Sequence, residues 1–325
     1  MKVYWVVDRV VDCLLSFVDN ITMKLATFTH AGRTRIGVVR DAAIVDLAAH
    51  AADLPTNMLD LLEAGPAALA AARQVVASTA PGIPLAQVRL EAPVPNPRKF
   101  LGIGGNTHSH LEEVRAAGVP IRHSPHQTWF NKQVTCINGP YGDIHLPAIS
   151  QQLDYEGELA IVIGRRCRNV PRQSAAEVIA GYTVCNDVSV RDWQLRAPTA
   201  TLGKSFDTHG PTGPWIVTAD EIPDPHDLSL RTWVNGELRM DGRTDEFLHS
   251  CFEMIEELSS VFTLEPGDLL ATGSPAGVGA LMQPPRFLTE GDVVRVEVEH
   301  VGVIENRVIR APAGYLAPHA GRPRP

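Results

Sequence analysis

The chain has 325 residues, 44% hydrophobic and 20% charged, the composition of a folded globular protein rather than a disordered or fibrous one. A formal net charge of −8 argues against nucleic acid or an anionic membrane surface as a partner. The five cysteines (Cys13, Cys136, Cys167, Cys185, Cys251) are scattered and form no C-x-x-C pair, which points to neither a disulfide framework nor a zinc-thiolate site and fits a reducing cytoplasm.

In chain order, "YWVVDRVVDCLLSFVDN" is apolar, but Asp8, Arg9, Asp12 and Asp19 interrupt every candidate span, so no export or membrane segment is expected. Met23 opens a hairpin-like run, and residues 1–22 read as an extension outside the fold. Residues 24–48 alternate like strands, and the Ala- and Leu-rich stretch 55–80 reads as helical. Together they predict a small N-terminal α+β domain over 23–95. "LEAPVPNPRK", with three prolines in ten residues, suits neither a helix nor a central strand and marks a linker, with the boundary near residue 96.

The second domain, 96–312, is dominated by strand-like runs: "KFLGIG", "ELAIVIG", "GYTVCNDV", "GPWIVT", "LRTWVNGEL", "DLLATGS" and "DVVRVEVEHVGVIENRV". Helical stretches are expected near 107–117, 174–180 and 248–260. "VNGE" at 234–237 predicts a two-residue hairpin, because Asn-Gly accepts the positive φ of a type I′ turn. The tail 313–325 reads as disordered. The fold class is therefore α+β and β-rich.

Chemistry concentrates in a few places. In "LDYEGELAIVIG" (153–164), Glu156 and Glu158 sit two apart at the head of a run apolar on both faces. In a strand they share a face, with Cα atoms roughly 6.5 Å apart. Alone, the pair is equally a solvated strand end. Asp187 ends another apolar run, and three hard oxygen ligands with no histidine or thiolate among them suit Mg²⁺, Mn²⁺ or Ca²⁺. In "GGNTHSHLEEV", His110 and Glu113 fall on one face of a helix that Asn106 or Thr107 would cap. The bland reading is an exposed His–Glu pair; the functional one is a carboxylate orienting a histidine base. His108 is the second choice for that role. "GIGGN" does not form G-x-G-x-x-G, so nucleotide binding is rejected. Arg191, Gln194 and Lys204 follow Asp187 in a Gly-, Pro- and Thr-rich stretch suited to an anionic, oxygen-rich substrate. In "LLATGSPAGVG", Thr272 and backbone N–H groups could receive a carboxylate.

The order E-x-E, D about thirty residues on, R-x-x-Q, G-K-S-F and L-x-T-G resembles the fumarylacetoacetate hydrolase family from about Lys99 to Val308. The similarity extends to its acylpyruvate hydrolase and hydroxy-dienedioate isomerase branch. That resemblance implies a mixed-sheet β-roll and a homodimer. It aligns Glu156, Glu158 and Asp187 with a Mg²⁺ or Mn²⁺ triad, and His110 with Glu113 as a water-activating dyad. Lys204 falls on the family lysine, while Arg191, Gln194 and Thr272 fall on substrate-contacting positions. The family's N-Y-x-D-H reads here "NTHSH", with Thr107 for Tyr and Ser109 for Asp, in a segment (roughly 107–130) expected to close over substrate.

The implied activity is metal-dependent hydrolysis of a 2-oxo acid such as an acylpyruvate or fumarylpyruvate. Alternatives are isomerisation or decarboxylation of hydroxy-dienedioates, a 2-oxo acid lactonase, an oxaloacetate decarboxylase or tautomerase, and a non-catalytic 2-oxo acid sensor.

Overall fold

The computed structural model describes residues 23–78, 80–118 and 126–312. The expected extension 1–22, the tail 313–325 and part of the expected lid lie outside the described residues.

Ten strands lie side by side in the order Ile83–Pro84, Ala43–Asp46, Arg33–Arg40, Lys24–His30, Gly210–Thr218, Ile179–Asn186, Gly157–Ile163, Leu269–Ala271, Phe100–Ile103 and Trp129–Lys132. The sheet is mixed: Leu269–Ala271 runs parallel to Phe100–Ile103, and the neighbouring pairs are antiparallel. A second sheet orders Glu237–Arg243, Ser229–Val234, Val293–Val298, Gly302–Arg310 and Ile144–Leu146. Two short strands join the large sheet off this path, Arg89–Leu90 on Lys24–His30 and Ile137–Asn138 on Gly210–Thr218, and Leu153–Asp154 pairs separately with Ser189–Val190. This is the β-rich α+β class that the strand pattern predicts and the mixed-sheet β-roll that the resemblance implies.

Sequence chemistry explains the elements that hold the site. Every residue of Gly157–Ile163 and of Ile179–Asn186 is buried, as near-continuous apolar runs require of strands covered on both faces. The Asn235-Gly236 turn has φ of 53° and 80°, the two positive values of a type I′ hairpin. The helix Cys251–Val261 buries Cys251, Met254, Ile255 and Leu258, an i, i+3, i+4, i+7 stripe.

Two helical expectations change. The stretch 55–80 divides into Met58–Glu63 and Pro66–Ala77, because Gly65 (φ 75°) ends one helix and Pro66 opens the next. The stretch near 174–180 is a 3₁₀ segment, Arg172–Val178, and Ile179 already belongs to a strand. Sheet pairing with Ile163 draws that end into the ladder. No helix among the described residues is long and apolar enough to cross a membrane.

Candidate metal and acid–base centre

The antiparallel register Gly157↔Asn186 and Glu158↔Cys185 sets Asp187 opposite Glu156, and the Asp187 N–H donates to the Glu156 carbonyl at 2.8 Å. Directly opposed residues share a face, so two acids thirty-one positions apart meet with Glu158 between flanking strands. One carboxylate oxygen from each of Glu156, Glu158 and Asp187 lies within 4.8 Å of the others, and all three residues are buried.

Three cations share the cluster. The Lys204 ammonium donates to Glu156 Oε2 at 2.7 Å and Asp187 Oδ2 at 2.6 Å, and lies 4.8 Å from the Phe130 ring centroid. Lys132 Nζ donates to Asp187 Oδ1 at 2.5 Å. Arg191 Nη1 donates to Glu156 Oε1 at 2.5 Å and to Gln194 Oε1 at 2.9 Å. A guanidinium has no acceptor, so the oxygen of the Gln194 amide faces Arg191 and its NH₂ remains a donor.

Fields inside the cluster pull the acids apart. Burial pushes Glu156 upward, but Lys204 and Arg191 outweigh it and hold the carboxyl far below the usual range. Glu158 goes the other way: burial, then Asp187 and Glu156, raise it well above the ordinary value, against which the Gly273 N–H at 2.8 Å is a minor counterweight. Lys132 is pushed up to about 12, burial being outweighed by Asp187. A Glu forced toward its neutral form by two anions is what a divalent cation relieves, and a donor set of carboxylates alone matches Mg²⁺, Mn²⁺ or Ca²⁺. The residues present fit such an ion.

The helix His108–Ala116 starts at Thr107, whose side chain accepts the His110 N–H at 3.4 Å. His110 Nδ1 lies 3.1 Å from Glu113 Oε2, and Glu113 Oε1 accepts the Gly277 N–H at 2.9 Å. With Nδ1–H directed at the carboxylate, Nε2 is left as the basic nitrogen. His110 is also among the groups that lower Glu156, which ties the dyad electrostatically to the acids. His108 is exposed. Both departures from the N-Y-x-D-H pattern serve one contact: Thr107 donates to Ser274 O at 2.7 Å, and Ser109 Oγ accepts the Ala276 N–H at 3.3 Å.

Thr272 is buried, and its hydroxyl donates to Leu159 O at 2.8 Å, while its own backbone carbonyl accepts from Asn106 Nδ2. Sequence reasoning missed Lys132 and Asp154, and offered Asn106 only as a helix cap, whereas its side chain ties Thr272 to His249 and Thr107 is the cap. Lys132 ends the edge strand Trp129–Lys132, four residues whose pattern carries no strand signal. Asp154 did have a signal: it extends the Glu156, Glu158 alternation one step back. Three surface grooves of about 420, 400 and 470 Å³ are lined by other residues, and it is the convergence of buried carboxylates that singles out this centre.

A β-rich roll that gathers three carboxylates, two ammonium groups and a His–Glu pair around the ends of its middle strands defines a class of proteins with a buried polyacid centre. The chain belongs to the fumarylacetoacetate hydrolase family: residues 99–309 match the family described as "Fumarylacetoacetate (FAA) hydrolase C-terminal". Among its relatives, "Oxaloacetate tautomerase FAHD2B, mitochondrial" of Bos taurus is 41% identical over 299 residues, covering 90% of this chain and 94% of that protein. The solved "Fumarylacetoacetate hydrolase (EaFAH)" of Exiguobacterium antarcticum is 38% identical, with a TM-score of 0.77 over 89% of this chain and 100% of that one. Maleylpyruvate hydrolase from Sphingobium sp. SYK-6, solved in complex with manganese (II) ion and pyruvate, is 34% identical with a TM-score of 0.74, over 89% of this chain and 100% of that one. The family's members are thus enzymes that include hydrolases and tautomerases.

Proposed function

We propose that the protein interconverts the keto and enol forms of a 2-oxo dicarboxylic acid of the oxaloacetate class, with Mg²⁺ or Mn²⁺ held by Glu156, Glu158 and Asp187. The observation that carries this reading is the His110–Glu113 pair beside a centre of three acids and Lys204. When bound, the ion supplies a positive charge that polarises a substrate carbonyl. His110, its tautomer fixed by Glu113, takes a proton from the carbon next to that carbonyl through Nε2 and returns it to the enolate oxygen to give the enol; the reverse transfers, oxygen to His110 and His110 to carbon, give the keto form. Lys204 has three N–H donors and commits two to Glu156 and Asp187, so the third is left for the oxygen on which negative charge develops. The Gln194 NH₂ holds the substrate carboxylate, and Arg191 orients that amide by donating to its oxygen. Cys136, Cys167, Cys185 and Cys251 are free thiols, which favours a reducing compartment.

Hydrolysis of an acylpyruvate is the second reading. It uses the same base on water rather than carbon, and the likeness to a maleylpyruvate hydrolase supports it. A panel of oxaloacetate, acetylpyruvate and fumarylpyruvate, followed in ultraviolet absorbance with Mg²⁺, with Mn²⁺ and with EDTA, separates the two. Loss of the oxaloacetate enol without pyruvate release is expected, abolished by EDTA, with Lys204→Ala lowering the rate roughly 10²- to 10³-fold. Tight oxalate binding with no 2-oxo acid consumed would instead make the protein a sensor.

A further inference from the structure

Asp154 is 0% exposed and stands outside the three acids whose oxygens converge. Its Oδ2 accepts Arg191 Nε–H at 2.8 Å and the Ala280 N–H at 2.9 Å; its Oδ1 accepts the N–H groups of Gly279 at 2.9 Å and Tyr155 at 3.0 Å. Arg191 Nη2 also lies 2.8 Å from Oδ2. One carboxylate is thus saturated by donors from two segments that are distant in sequence.

Each segment leads into the reaction centre by a different route. From Arg191 the contacts run to Glu156 and Gln194. From the 277–280 loop they run to the dyad: Tyr155 Oη donates to Gly277 O at 2.9 Å, the Gly277 N–H holds Glu113 Oε1, and Glu113 holds His110. The loop needs its glycines to come this close. A Cβ on Gly279 would lie 2.2 Å from Arg286 O and 2.7 Å from Asp154 Oδ1, and Gly277 has φ +115° with a would-be Cβ 2.0 Å from Arg239 O.

We propose that Asp154 is a positioning residue that locks the Arg191–Gln194 segment and the 277–280 loop into one unit, keeping substrate recognition and the His110–Glu113 base in register. The proposal rests on the 2-oxo acid reading of the site. An asparagine has the same shape but one acceptor oxygen, and its NH₂ would confront either the guanidinium or the loop N–H groups, so one of the two segments is released.

The test uses Asp154→Asn and Gly279→Ala in the full chain: the first removes the charge, the second the close approach. Calorimetry should still show uptake of Mg²⁺ and of Mn²⁺ in both variants, since the three acids themselves are retained. For the 2-oxo acid that the wild type consumes, kcat should fall roughly 10- to 100-fold in both, and oxalate affinity should fall by a similar factor in Asp154→Asn. Amide hydrogen exchange over 277–280 should accelerate in Asp154→Asn. A purely structural role would lower the melting temperature while kcat per folded molecule and oxalate affinity stay at wild type, and that result overturns the proposal. If the wild type consumes no 2-oxo acid, the functional reading fails by itself, and the latch is judged on oxalate affinity and exchange; both unchanged would overturn it. Should Asp154→Asn not fold, Gly279→Ala decides, with unchanged kcat counting against the latch.

Discussion

His209 shows how a single buried side chain adds to the acid sensitivity of the fold. Its Nε2 lies 2.9 Å from the His145 carbonyl oxygen and its ring stacks on Phe206 with centroids 5.3 Å apart, so the neutral Nε2–H tautomer fits the site. Burial, reinforced by the charge of Lys132, lowers its pKa to about 3. The unfolded chain takes up this proton near pH 6.5, whereas the folded chain resists it. Its share of the stability is therefore whole above pH 6.5 and is lost progressively as pH falls toward 3. At pH 5 the loss should be about 2 kcal/mol. His209→Gln keeps a donor for the carbonyl and removes the titration. Urea unfolding of both proteins at pH 7 and pH 5 should show that excess acid sensitivity in the wild type alone, and equal slopes would contradict the assignment.

At the scale of elements, the helix Cys251–Val261 is a case where local rules and tertiary packing agree. Ser250 accepts the Glu253 N–H at 3.2 Å while Glu253 Oε2 accepts the Ser250 N–H at 2.9 Å, a reciprocal capping box before the apolar stripe. Ser250→Ala should cost about 1 kcal/mol, read as a lower urea midpoint at unchanged m-value. An unmoved midpoint would mean that burial of Met254, Ile255 and Leu258 holds the helix without its cap. The helix His108–Ala116 is different in kind. None of its residues is buried, and Thr107, Ser109 and Glu113 bind it to the 274–277 loop by hydrogen bonds. Its position follows from polar contacts, which suits a helix that carries a base beside the acid centre.

Over the whole molecule, the large sheet runs without interruption past residue 96, since Lys24–His30 pairs with Gly210–Thr218. One apolar cluster likewise joins Met58, Leu61 and Leu62 to Ala160, Val162 and Leu269. Glu158 sits on a strand in the middle of this sheet, with Glu156 immediately before that strand and Asp187 immediately after its neighbour Ile179–Asn186, so an ion bound there binds only the folded chain. Mg²⁺ at about 100 times its dissociation constant should add about 2.7 kcal/mol to the unfolding free energy, and Glu158→Gln should abolish the increment. Thermal melts with Mg²⁺ and with EDTA measure it; coincident curves would remove the ion from the centre.

The sequence by itself determined the longer central strands and the acid chemistry. Alternation and apolar runs are local, so the β-rich class, the Asn235-Gly236 turn, the shared face of Glu156 and Glu158 and the Thr107 cap were legible in short windows. The metal-type triad was legible too, because Asp187 ends an apolar run as Glu156 opens one. What only the tertiary structure decided is which cations enter the cluster and how the acids divide their charge. Lys132 arrives from an edge strand with no pattern, and Asp154 is told apart from its neighbours only by the loop and the guanidinium that converge on it. Those facts depend on register and packing between segments distant in the chain, and no periodicity within one segment encodes them.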